Sequence, residues 1–181
     1  MNRFFIAGIA AILLLANSCE FEVPPRYFEV DGHSHKLNVA YMDDFGTDEY
    51  DYSLRWWAVS FRSEETLPSN FITFQLGSLY NETDIISEGV YEYDYFGGKG
   101  LFSDIAIGYD IEFDYKGQPM GNKLDDEIAD FSGTISVEKD GSTYYFVFDL
   151  EVVYNDVTYK IDGEYEGRLT IDSYLIDLGD Y

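Results

Sequence analysis

From Tyr144 the even positions read Tyr144, Phe146, Phe148, Leu150, Val152 and Tyr154. From Tyr159 the odd positions read Tyr159, Ile161, Gly163, Tyr165, Gly167, Leu169 and Ile171. Apolar residues recurring at period two predict β-strands with one buried face. In the second run the alternate set, Lys160, Asp162, Glu164, Glu166, Arg168 and Thr170, is entirely polar. That alternation predicts an antiparallel sheet that is wet on one side.

The turns between these runs set a register. Asp140-Gly141 reads as a two-residue hairpin loop of type I′, and Asn155-Asp156 reads as a second one. With both loops two residues long, Ile135 faces Phe146, Val137 faces Tyr144, Leu150 faces Ile161 and Phe146 faces Tyr165, so apolar faces meet apolar faces. The same register puts Phe148 between Gly133 and Gly163, Tyr144 opposite Gly167, and Asp149 between Ser132 and Asp162. A glycine opposite an aromatic ring leaves room for the ring across bare backbone and lets a sheet bend sharply. The stretch from Phe131 to Ile171 therefore predicts a strongly curved sheet.

Earlier in the chain, Tyr27 to Val30 and Lys36 to Met42 read as strands around Asp31-Gly32, and Asp43 to Tyr52 turns polar with five acids. Leu54 to Arg62, Phe71 to Leu79, Gly89 to Tyr95 and Ile105 to Tyr115 read as further strands, with a flexible turn at Gly97-Gly98-Lys99-Gly100. Lys116 to Asp130 reads as a loop with one helical turn near Leu124 to Ala129. The pattern contains no long amphipathic helix and no fixed-period repeat. It predicts an all-β fold, a single antiparallel meander of roughly nine strands closed into a barrel, with a β-sandwich as the alternative.

The N-terminus departs from this alternation. Residues 1–18 carry Arg3, an apolar run from Phe4 to Ala16, and the small residues Ala16 and Ser18 before Cys19. This pattern predicts an export signal, too short to span a membrane as a mature helix. Cys19 is the sole cysteine. Leu15-Ala16-Asn17-Ser18-Cys19 resembles the lipobox of bacterial lipoproteins, which implies that Cys19 is lipidated and becomes the new N-terminus. Residues 19–26, with Pro24-Pro25, then form a short stiff tether, and residues 27–181 form the folded domain.

Charge narrows the partners. The chain of 181 residues has a formal charge of −24. Removal of residues 1–18 takes away Arg3 and no acid, leaving 163 residues with 10 cations against 35 acids, or −25. Such a balance excludes nucleic acid as a partner and argues against adsorption to anionic lipid through a basic surface. Attachment to the bilayer falls to the acyl chains of Cys19, at about 0.8 kcal/mol per buried CH₂. With no second cysteine, burial must hold the domain together.

Phe28-Glu29-Val30-Asp31-Gly32, Gly89-Val90-Tyr91 and the block from Ser132-Gly133-Thr134 through Gly163-Glu164-Tyr165-Glu166-Gly167 resemble the small acidic lipocalin-like or calycin-like β-barrel lipoproteins of Bacteroidetes-type bacteria. The resemblance implies a lipid-anchored protein at the outer membrane, facing the periplasm or the cell exterior. The Gly-x-Trp signature of true lipocalins is absent near the first strand, so no enclosed hydrophobic-ligand pocket is implied.

Candidate chemistry is sparse. Trp56 and Trp57 are adjacent in a strand and point to opposite faces. Trp57 shares a face with Val59 and Phe61 and belongs to the core. Trp56 shares its face with Ser60 and Arg62 and is a candidate platform for stacking a sugar. Asp149 opposite Asp162 is a like-charge pair, either tolerated in water or bridged by a Ca²⁺-like cation or a basic partner. The acids Asp43, Asp44, Asp48, Glu49 and Asp51 lack calcium-loop spacing and read as a solvated loop. His33 and His35 stand two apart without a third nitrogen or sulfur ligand in evidence. No catalytic residue is assigned, because the sequence has no nucleophile motif and its carboxylates are too numerous to single out a pair. The reading is a non-enzymatic binding or accessory module with a glycan or protein ligand and no obligate cofactor. The alternative is a carboxylate-dependent glycan hydrolase.

Overall fold

The computed structural model describes residues 24–47, 53–79, 86–93, 100–124 and 128–171. They form twelve strands and no helix: β1 Arg26–Val30, β2 His33–Lys36, β3 Val39–Thr47, β4 Leu54–Arg62, β5 Phe71–Leu79, β6 Gly89–Tyr93, β7 Leu101–Phe113, β8 Pro119–Leu124, β9 Ile128–Asp140, β10 Thr143–Tyr154, β11 Val157–Gly167 and β12 Thr170–Ile171. The predicted export segment, Cys19, Asp48, Glu49, Asp51 and the Gly97-Gly98-Lys99 turn lie outside the described residues.

All strands join one sheet in the order β12-β3-β4-β5-β7-β6-β9-β10-β11-β1-β2, with β8 added alongside β7. The all-β expectation holds, and the sheet is strongly curled into a half-barrel. Its curvature is visible in the core. β4 and β10 are five steps apart in the sheet, roughly 24 Å if it were flat, yet the rings of Phe61 and Phe146 meet at 4.9 Å. Phe61 also touches Phe74 on β5, Phe148 on β10 and Tyr165 on β11 at 4.8–5.5 Å. These rings fill the concave side together with Phe28, Ile72, Leu76, Ile107 and Ile161, all buried.

The sheet departs from the expected antiparallel meander in order, because β7 and not β6 lies beside β5 and β6 lies beside β9, and in direction, because β6 runs parallel to β7 and β12 parallel to β3, each over two residue pairs. Contacts that short leave no trace in an alternation pattern. Of the segment expected as a loop, residues 119–124 form β8 and residues 128–130 begin β9, while residues 125–127, at the centre of the expected helical turn, lie outside the described residues. β3 also extends further into the acidic stretch than expected, to Thr47. A bulge between Asp44 and Gly46 accommodates the extension.

The second hairpin has the predicted register. Tyr154 pairs with Val157, Asn155 and Asp156 both take positive φ (50° and 61°), and Phe148 faces Gly163, Asp149 faces Asp162 and Tyr144 faces Gly167. The first hairpin is shifted by two residues. Its loop is Gly141-Ser142, Asp140 pairs with Thr143, and only Gly141 of the two takes positive φ, at 58°. That is the pattern of a type II′ turn, which needs glycine only at its first position. A two-residue shift preserves which face each side chain occupies, so the core is unchanged while the partners move: Phe148 faces Ile135, Gly133 faces Leu150, and Asp149 faces Thr134 in place of Ser132.

The two ends of the curled sheet come together without a ladder. The Leu37 amide donates to the Arg26 carbonyl of β1 at 2.9 Å, and the neighbouring Asn38 amide donates to the Arg62 carbonyl of β4 at 2.8 Å. Past the end of β11, Arg168 and Leu169 carry the chain to β12 beside β3. This seam is where the molecule opens.

Candidate functional site: the seam cleft

A cleft of about 410 Å³ lies at the seam, within the size range of small-molecule sites. Its lining comes from four places in the chain: Pro24 and Arg26, Asn38 to Ala40, Thr143, and Tyr165 to Arg168 with Thr170. Arg26 is the hinge of the arrangement. Its Nε donates to the Glu166 carbonyl at 2.9 Å and its Nη1 to the Asn38 carbonyl at 3.3 Å. Its guanidinium lies 5.5 Å from the centre of the Tyr165 ring, which is buried beneath it. These contacts hold the planar group in one orientation, so its remaining N–H donors are pre-aimed. Burial pushes the Tyr165 hydroxyl above the ordinary tyrosine range, with the Arg26 charge opposing that shift.

Arg168 supplies the second cation and is exposed. Gly167 makes room at this end, because a Cβ there would sit 2.7 Å from the Tyr165 hydroxyl. The lining thus holds two guanidiniums and the Thr143 and Thr170 hydroxyls against one carboxylate, Glu166, while the Asn38 side-chain amide donates to the Ser63 carbonyl at 2.6 Å. In a chain of charge −24 this is a local reversal of sign. Such a donor set fits a polar ligand bearing an anionic group.

The residues singled out from sequence stand elsewhere and do not converge. Trp57 is in the core, its indole Nε1 donating to Ser78 Oγ at 3.0 Å. Trp56 is half-buried on the outer face of β4, where Gly46 and Gly77 are its register partners on either side. That outer face is not wet as alternation implies. Ser60 is fully buried there, accepting from Arg62 Nε and Thr73 Oγ1 at 2.9 Å each. The Arg62 guanidinium lies over the Tyr41 ring at 5.0 Å. Small residues on β4 let long neighbours lie flat across them.

Asp149 and Asp162 do face each other across β10 and β11. The ammonium of Lys160 lies 3.0 Å from Asp162, and its pKa is raised, first by that hydrogen bond, then by the charge of Asp162 and further by Asp149 and Glu151. A positive charge beside the pair is therefore supplied by the chain itself. Asp44 is paired as well: Arg55 Nε donates to it at 2.8 Å, which with the Gly46 amide holds its carboxyl below the ordinary range.

His33 is exposed whereas His35 is buried between the rings of Phe28 and Tyr109, at 5.2 and 5.0 Å, with Nδ1 3.5 Å from Asp110. Among the described residues no group of three or more His, Cys, Asp or Glu is arranged to hold a metal. Nor is any helix there long and apolar enough to cross a membrane. Compared with protein-family models, with curated proteins and with solved structures, the chain has no significant match to any.

Proposed function

We propose that the chain is an exported lipoprotein, held at the outer membrane by acylated Cys19, that acts as a non-enzymatic binding or accessory module through the seam cleft. The observation that carries this reading is the cleft itself: about 410 Å³, with Arg26 braced by two backbone carbonyls and Arg168 exposed in the lining. A polar extracytoplasmic ligand with an anionic group, such as an acidic glycan, matches that donor set. A carboxylate-dependent hydrolase needs two acids roughly 5–10 Å apart in one cleft. The described lining offers Glu166 alone, which favours binding over hydrolysis.

The test is a binding screen of neutral and acidic glycans on the mature protein and on Arg168→Gln, Trp56→Ala and Glu166→Gln. Loss of binding in Arg168→Gln supports the cleft. Loss confined to Trp56→Ala moves the site to the outer face of β4, and cleavage abolished by Glu166→Gln makes the protein a hydrolase. For the anchor, Cys19→Ala should shift the protein from the membrane fraction to a soluble or uncleaved form. Unchanged, lipid-labelled protein would refute it.

A further inference from the structure

The seam cleft stands beside the point where the tether enters the fold. Pro24 is part of its lining, and the Pro25 carbonyl accepts a hydrogen bond from the Glu166 amide at 2.8 Å. The chain is thus fixed to the sheet from there onward. Pro24 lies five residues after Cys19, and a fully extended peptide spans at most about 3.3–3.6 Å per residue, so the reach from one to the other is roughly 17 Å. With Cys19 acylated, the cleft lies within that distance of the headgroup layer.

Charge works against the leaflet for the chain as a whole. The outward rows of the sheet are acidic, with Asp149, Asp162 and Glu29 side by side across β10, β11 and β1, and the β11 row continues through Glu164 to Glu166 at the cleft. Their repulsion from an anionic leaflet is screened beyond about 8–10 Å and cannot detach a chain held by acyl groups. The short tether alone brings the cleft to the lipid, and Arg26 and Arg168 are the cations it presents there. A guanidinium matches the oxygens of a phosphate bidentately, and the Thr143 and Thr170 hydroxyls add neutral donors.

We propose that the seam cleft takes the anionic phosphate of a headgroup in the same leaflet that holds the acyl chains. This rests on the anchored, cleft-binding reading above and puts a lipid phosphate in place of the acidic glycan given there as an example. The lipid then holds the protein twice, covalently at Cys19 and through Arg26 and Arg168 at the cleft. Because the tether is short, the headgroups face the cleft at an effective concentration on the order of mM, so an intrinsically weak site is filled.

The experiment uses the full mature chain, acylation verified by mass, reconstituted in vesicles of phosphatidylcholine alone or with phosphatidic acid, and follows backbone hydrogen exchange. Phosphatidic acid should slow exchange at residues 38–40 and 165–170, and neutral vesicles should not. In Arg168→Gln, an exposed position that leaves folding intact, the phosphatidic acid fraction needed for half the effect should rise roughly tenfold or more, the loss of one charge-assisted contact. Equal exchange on both vesicles, or slowing that Arg168→Gln retains, overturns the proposal. Slowing by inorganic phosphate on neutral vesicles, with none from phosphatidic acid, overturns the membrane source and leaves the cleft as an anion site. Absence of an acyl group on Cys19 overturns the anchor and this proposal together.

Discussion

Gly163→Ala is the smallest change that interrogates the curled sheet. A Cβ at this position would lie 2.5 and 2.6 Å from two carbons of the Phe148 ring and 2.8 Å from the Tyr27 carbonyl oxygen. Ordinary contact begins near 3.4 Å, so the methyl must open both contacts by several tenths of an ångström. Neither side gives readily. Phe148 is wedged against Phe61 and Phe74 at 5.5 and 5.4 Å, and the Tyr27 carbonyl belongs to β1, whose Phe28 pairs with Gly163 itself. Overpacking of this kind costs about 1–3 kcal/mol. In a domain of this size that is roughly 2–4 °C of melting temperature per kcal/mol. Denaturant midpoints at constant m-value measure it. The reasoning is specific to the ring, so Phe148→Leu should recover part of the loss in a double-mutant cycle. Gly133→Ala provides the contrast: its Cβ would strike the Asp149 backbone oxygen from a φ of +115°, and Phe148→Leu should recover none of that cost. An unchanged midpoint in Gly163→Ala, or equal rescue of both glycine variants, would refute the packing.

Asp44→Asn should flatten the acid limb of stability. Its carboxyl is held below the ordinary range by the Arg55 hydrogen bond, so its contribution is present above the unfolded pKa and lost as pH falls through the folded one; a wild-type and variant difference in midpoint that does not shrink on going from pH 7 to pH 3 would contradict this. Asp162→Asn should bring the Lys160 titration down toward the ordinary lysine value, seen by NMR, with little change in midpoint because both side chains are largely exposed. If instead added Ca²⁺ raises the wild-type midpoint and Asp162→Asn abolishes that rise, a cation occupies the Asp149–Asp162 pair. Gly141→Ala should cost about 1 kcal/mol from backbone strain alone, since a Cβ there meets nothing within 4 Å; a loss as large as that of Gly163→Ala would mean that the turn is packed.

The register divides along turn chemistry. Asn155-Asp156 has no glycine, and both residues sit at positive φ, so one turn placement is available and the derived pairing of β10 with β11 follows along the whole length of both strands. Asp140-Gly141-Ser142 allows two: type I′ over the first pair, or type II′ over the second. Alternation cannot choose between them, because they differ by two residues and keep every side chain on its own face. The choice falls to Gly141 at the leading position and moves the partner of Phe148 from Gly133 to Ile135. Gly133 is then explained by the Asp149 carbonyl pressed against it and not by a ring.

The cleft was illegible for a different reason. Arg26 sits in what reads as a tether, Asn38 in the middle of what reads as one strand, and Arg168 in a polar row that predicts only a wet face. Period-two reasoning assigns faces within a strand and says nothing of where the ends of a sheet meet. The seam is made by two bonds from neighbouring amides, Leu37 to β1 and Asn38 to β4. The lining thereby draws Arg26 and Ala40 from strands near opposite ends of the sheet order. The same limit hid the covered outer face of β4, where Ser60 is buried by Arg62 and Thr73 although its strand position predicts water. At the seam the chemistry belongs to contacts between strands distant in the chain, and on β4 it belongs to side chains of the same and the adjoining strands that lie across a small residue. A polar residue in an alternating row is therefore a surface residue only until closure of the sheet supplies its neighbours.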